Sequence, residues 1–174
     1  LRSKLAPGVR CALEHGGAAP AIVMGDADLE VAAPLLIKGG FYHAGQVCVS
    51  VQRILADDSI ADELIEILDS YASKLIVGNP SERDTEVGPL IRPVEVERVN
   101  SWVQEAKDGG ASIIRGGKAI TERVYEPTIL VDPPQLSKIA NQEVFGPAIA
   151  VFRTKSNAEA IKRANSIDFA FQAA

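Results

Sequence analysis

The sequence predicts an α/β fold, a mostly parallel sheet flanked by helices, built as a single domain over residues 1–174. Three observations carry this expectation. Short apolar runs alternate along the chain with longer amphipathic stretches of helical period. The first run, APAIVM, is apolar throughout and ends at a glycine, as a buried strand would. The length of 174 residues, with 47% hydrophobic and 24% charged side chains, suits one globular domain and excludes disorder for the chain as a whole.

The elements follow in order. Ala19 to Met24 is the first strand. Asp26, Asp28 and Glu30 come next and concentrate negative charge where a helix amino end favours it. That helix runs through VAAPLLIKGG, and Pro34 with the Gly39–Gly40 pair predicts it to be short or irregular. Val51 to Asp57, VQRILAD, is the second strand. In SIADELIEILDSYASKL, residues Ile60, Leu64, Ile67, Leu68, Tyr71 and Leu75 fall on one helical stripe. Gly78 to Pro93 carries three prolines and two glycines, a long loop of the kind retained for function or subunit contact. EVERVNSWVQEAKDGG is a further amphipathic helix, stopped by Gly109–Gly110. SIIRGG reads as a strand, VYEPTILVD as one strand or two interrupted by Pro127, and Pro147 to Arg153 as another. Ser156 and Glu159 form an S-x-x-E capping box ahead of AIKRAN.

Composition removes several function classes. A net charge of -5 without any Lys/Arg cluster argues against nucleic acid or another polyanion as partner. No apolar run reaches the roughly 18 residues that would span a bilayer. The two cysteines, Cys11 and Cys48, cannot build a disulfide scaffold, and neither lies in a CxxC or His-rich setting. No metal site is therefore expected, and a reducing, cytoplasmic location is. The chain opens at Leu1 and stops straight after FAFQAA, which leads us to expect a piece of a longer polypeptide.

Three short stretches can carry chemistry, and each has an ordinary reading beside the functional one. In FYHAGQVCVSVQRI, Cys48 is flanked by Val47 and Val49 and could be a small buried hydrophobe. Its place after a glycine-containing turn and ahead of a strand also suits a thiol facing a cleft, with its own N–H aimed at a bound oxygen. A thiol is only a few per cent thiolate near neutrality, so a catalytic one needs a base or a positive field. In LEHGG, Glu14 sits beside a Gly-Gly pair that permits tight turns and close approach of a ligand; a solvated carboxylate is the bland alternative. In NQEVFGP, Glu143 and Phe145 precede a rigid Gly-Pro turn, and a surface glutamate at a strand entry would look the same. Cys11 reads as core. Gly116-Gly117-Lys118 is no phosphate loop, because Ser112 stands where the first glycine is required and Ala119 where Ser or Thr would bind Mg²⁺.

Taken together, LEHGG, GQVC and QEVFGP, in that order and with Glu14 and Cys48 34 residues apart, resemble the aldehyde dehydrogenase superfamily. IVMGDADLE, EVGPLI, the YEPTIL stretch and AIKRANSIDFAFQAA extend the likeness over essentially the whole chain. The resemblance implies the fold of that family's catalytic domain and NAD- or NADP-dependent oxidation of an aldehyde to a carboxylate. It implies that Cys48 is the nucleophile and Glu14 the general base that activates water. Glu143 would hold the nicotinamide ribose and Phe145 would pack near the nicotinamide ring. His15 and Gly16 would lie beside the cofactor, although His15 stands where the family usually has leucine and Ala18 where it often has lysine. Tyr42, His43, Val47 and Val49 would lie near the substrate tunnel. By the same likeness, the dinucleotide-binding domain and a C-terminal subunit-pairing segment are absent from these residues, the fragment alone is inactive, and the parent is a homo-oligomer, dimer or tetramer. Rival readings are a cysteine hydrolase pairing Cys48 with His43 or His15, and a non-catalytic module on the same fold.

Overall fold

The structure, a computed structural model, describes residues 2–169 and 171–174. Its strands β1 (Ala19–Val23), β2 (Val51–Asp57), β3 (Ser112–Arg115), β4 (Thr128–Val131) and β5 (Ala148–Thr154) form one sheet ordered β1-β2-β5-β4-β3. The first four in that order run parallel, and β3 closes one edge antiparallel to β4. β5 lies centrally, and Ile149, Ala150 and Val151 within it are fully buried, as are Ile129 and Leu130 of β4. Such uniformly apolar strands are what burial on both faces requires.

Helices supply the covering layers. α1 (Leu29–Phe41) and α2 (Ala61–Ala72) pack on each other, α2 burying Leu64, Ile65 and Leu68. α3 (Pro93–Asp108) opens with proline at its first position, where the missing N–H costs nothing, and ends at Gly109. α5 (Asn157–Ala164) is capped by Ser156, whose hydroxyl accepts from the Glu159 N–H at 3.3 Å. The Glu159 carboxylate accepts from the Lys155 N–H instead of that of Ser156, so the capping box closes one residue early.

In the folded chain one local expectation changes, an open alternative is decided, and one unread element appears. The segment through VAAPLLIKGG is one continuous 13-residue helix, neither short nor broken. The Asp28 carboxylate caps it by accepting from the Glu30 and Val31 N–H groups, which anchors the turn ahead of Pro34. Gly40 serves packing: a Cβ there would lie 2.5 Å from Ile149 Cγ2 and 3.1 Å from the Val51 carbonyl oxygen. Next, VYEPTILVD gives one strand, and Tyr125 contributes only an isolated bridge to Ala119. Finally, Lys138–Asn141 forms a single helical turn, α4, too short to leave a periodic signal.

Residues 2–16 are exposed throughout and join no ladder, and Cys11 is exposed with them. The expectation of a core Cys11 is thus corrected, because the chain reaches the sheet only at Ala19. The other end does reach it: the Ala174 N–H donates to the Pro20 carbonyl, and its own carbonyl accepts from Ile22 along the outer edge of β1.

Helix propensity alone would make Gly40→Ala stabilising by about 0.5–1 kcal/mol. The contact with the buried, β-branched Ile149 reverses the sign, and we expect a loss of about 1–3 kcal/mol in urea unfolding.

Candidate active site

Cys48 is set by the chain between α1 and β2. Tyr42–Gly45 form a tight turn in which His43, Ala44 and Gly45 all take positive φ, at 50, 57 and 70°. The Ser50 N–H then donates to the Val47 carbonyl at 2.9 Å, so Cys48 occupies the tip of a second turn immediately before β2. Ser50 Oγ donates back to the Gly39 and Gly40 carbonyls and ties this turn to the end of α1. Among the described residues no acceptor meets the Cys48 N–H. Cys48 is half-buried.

Glu14, His15 and Gly16 arrive on the exposed segment leading into β1. The Gly17 N–H donates to Glu143 Oε1 at 2.8 Å. A Cβ on Gly17 would stand 2.5 Å from the Cys48 carbonyl oxygen, and one on Gly16 would stand 2.5 Å from Glu143 Oε2. Only a pair of glycines lets this backbone slip between the cysteine turn and the glutamate. Glu143 and Phe145 lie on the segment entering β5; Val144 between them is buried, while Phe145 is 42% exposed at a φ of 46°.

All three segments lead into adjacent parallel strands, β1, β2 and β5, so they meet at the amino ends of those strands. There they enclose an open cleft of about 450 Å³ lined by Glu14, His15, Gly16, Gln46, Val47, Cys48, Glu143 and Phe145. Every residue singled out from the sequence for catalysis or cofactor contact thus stands on one wall or another of a single cavity. Tyr42 and His43 do not: they line a separate cavity of about 630 Å³ between α1, α2 and the loop at Thr85–Val87. The His43 ring stands against Tyr42 with centroids 3.9 Å apart, so the structure assembles no His43–Cys48 pair. Val49 is exposed and lines neither space.

The model of the aldehyde dehydrogenase family matches residues 2–174. The chain belongs to that family. A 3-sulfolactaldehyde dehydrogenase of Priestia aryabhattai is 44% identical over 164 residues, which are 94% of this chain and 34% of that protein. A glyceraldehyde-3-phosphate dehydrogenase of Methanocaldococcus jannaschii, solved with NADP, superposes with a TM-score of 0.87 at 42% identity, covering 91% of this chain and 34% of the other. Betaine aldehyde dehydrogenase of Staphylococcus aureus, solved with NAD⁺, gives 0.86 at 35% identity, covering 91% and 32%. The chain therefore spans about a third of the length of the relatives it matches.

Within this aldehyde dehydrogenase family member, the structure adds three residues that reading the sequence passed over. Gln46 binds the long loop: its Nε2 donates to the His43 and Pro89 carbonyls, and its Oε1 accepts from the Ile91 N–H at 3.0 Å. Gln52 and Arg53, buried at 4% and 1% exposure, reach from β2 to the flanking segments. Arg53 Nε donates to the Ala18 carbonyl at 3.0 Å, and its other nitrogens donate to the Arg163 and Ala164 carbonyls. No carboxylate pairs with it among the described residues. Burial pushes its pKa down to about 10, which still leaves it charged at neutral pH, and the negative end of the α5 dipole faces it. A sequence signal for Gln52 and Arg53 existed: two adjacent polar side chains interrupt the apolar run of VQRILA.

Because Cys11 is the more exposed thiol, accessibility alone would let iodoacetamide reach it first. We expect Cys48 to alkylate at least as fast, as peptide mass spectrometry resolves site by site. Gly17→Ala, by pushing on the Cys48 carbonyl, should alter the Cys48 rate and leave that of Cys11 unchanged.

Proposed function

We propose that this chain carries the thiol-bearing site of an NAD(P)-dependent aldehyde dehydrogenase that releases its product as a free carboxylate. The observation that carries this reading is the convergence of Cys48, Glu14 and Glu143 on one cleft at the amino ends of three parallel strands. Relatives of the same family solved with NADP and with NAD⁺ support the choice of cofactor.

The chemistry follows from the residues. Cys48 Sγ, as thiolate, attacks the aldehyde carbon, and the carbonyl oxygen becomes an oxyanion. The Cys48 N–H, which meets no protein acceptor among the described residues, is free to donate to that oxygen. The nicotinamide supplies one thing, an acceptor for the hydride that leaves the tetrahedral carbon. A thioester then remains on Cys48. Glu14 takes a proton from a water that attacks the thioester carbon; the C–S bond breaks, the thiol is restored and a carboxylate departs. A base at this position favours water over coenzyme A or phosphate as the acyl acceptor.

The residues fit the cofactor. Glu143 commits one carboxylate oxygen to the Gly17 N–H and presents the other beside Gly16, suited to accepting from ribose hydroxyls. Phe145 offers an exposed aromatic face on the same cleft, where His15 and Gly16 also lie. The same reading makes the full-length protein a cytoplasmic homo-oligomer, dimer or tetramer. It also makes residues 1–174 inactive by themselves, since the family resemblance puts the remaining cofactor contacts outside them.

In the full-length protein, assayed with a panel of aldehydes and both cofactors, Cys48→Ala should abolish NAD(P)H formation. Glu14→Gln should keep a first-turnover burst of NAD(P)H while steady turnover falls about 10²-fold or more. Unchanged steady turnover in Glu14→Gln would remove the base from the mechanism. Residues 1–174 expressed alone should give no NAD(P)H with any of these aldehydes, and a clear signal would overturn that part of the reading.

A further inference from the structure

We propose that Gln52 is a positioning residue for the cofactor side of the cleft, holding the peptide on both sides of Glu143. This deepens the reading in which Glu143 meets the nicotinamide ribose, and it rests on that reading.

The observation begins with a bulge. Ala19 pairs with Val51 and Pro20 with Arg53, so Gln52 is the extra residue in β2 where the two strands fall out of step. Pro20 has no N–H to offer the ladder, which is why the irregularity sits here. A bulge re-aims a side chain. The amide of Gln52 leaves the strand and reaches the segment that enters β5. Its Nε2 donates to the Gln142 carbonyl at 2.6 Å and to the Ile139 carbonyl at 3.2 Å, and its Oε1 accepts from the Val144 N–H at 2.8 Å. Both amide hydrogens and the oxygen are used, and this assigns the orientation of the group. Gln142 and Val144 are the two neighbours of Glu143.

A second clamp comes from α3. Arg98 Nη2 donates to the Val144 carbonyl at 2.8 Å, so side chains pin both backbone groups of Val144. The next residue, Phe145, has a φ of 46°, a strained conformation for an aromatic residue that persists only where neighbours over-determine it. Gln52 and Arg98 provide that over-determination. Between them they present Glu143 toward Gly16 and Gly17 and turn Phe145 outward into the cleft. Gln52 itself does not line that cleft and touches the chemistry only through Glu143.

The test is a double-variant cycle in the full-length protein, read by equilibrium titration of the cofactor. Gln52→Met should weaken cofactor binding about tenfold, as loss of a supporting partner does elsewhere. The aldehyde KM and the alkylation rate of Cys48 should stay within about twofold. Glu143→Ala should weaken cofactor binding as well, and adding Gln52→Met to it should produce little further loss. A merely structural glutamine would lower thermal stability and leave cofactor affinity intact, or would multiply its loss onto that of Glu143→Ala; either result overturns the proposal. If Glu143→Ala leaves the affinity unchanged, the ribose role of Glu143 fails and this inference falls with it. If Glu143→Ala weakens binding and Gln52→Met does not, only the role of Gln52 fails. Should Gln52→Met not fold, Gln52→Glu keeps the acceptor for Val144, removes both donors, and must give the same non-additive loss.

Discussion

The site depends on a close approach that glycine alone permits. The backbone at Gly16–Gly17 passes between the Cys48 carbonyl and the Glu143 carboxylate, and the Gly17 N–H bond to Glu143 closes the gap. Residues 126 apart in the chain meet there because β1, β2 and β5 are neighbours in the sheet. Parallel pairing forces the three segments that enter those strands onto one edge. Ligands of open α/β sheets usually bind beyond the carboxyl ends of the strands; this cleft gathers at the amino ends, from loops that lead into strands.

β2 is the hub that makes the edge rigid. Through Gln52 it holds the segment carrying Glu143, and through Arg53 it holds Ala18, the residue after the glycine pair. Burying a guanidinium without a carboxylate is costly unless its hydrogens are satisfied. Three backbone carbonyls satisfy it here, two of them at the carboxyl end of α5, where helix dipoles favour a cation. The strand that follows Cys48 therefore fixes the opposite walls of the cleft that Cys48 lines.

Three of the four described non-glycine residues at positive φ gather in the same place. Among the described residues, His43, Ala44, Asp132 and Phe145 are the non-glycine residues at positive φ. His43 and Ala44 belong to the turn that delivers Cys48, and Phe145 belongs to the segment that delivers Glu143. Such conformations survive only when the surroundings impose them. Gln46, Ser50, Gln52 and Arg98 impose them here through side-chain bonds to main-chain groups.

Alternating apolar runs and amphipathic stretches made the sheet and its main helices legible, since burial on a strand or a helix stripe writes a local period. The three motifs, read in order, made the family and its candidate side chains legible as well. What stayed hidden depends on partners distant in sequence. A proline and two glycines within α1 looked like breaks, yet the helix is continuous, capped by Asp28 and packed closely at Gly40 on Ile149. Cys11 was read as core, but no local pattern tells whether the chain has yet reached the sheet at that point. Gln52 and Arg53 were visible only as polar residues in an apolar strand, their function set by carbonyls as far as 111 residues away. Local motifs named the candidate side chains; the fold gathered them into one cleft, because strand order, which no local pattern encodes, chose which loops became neighbours.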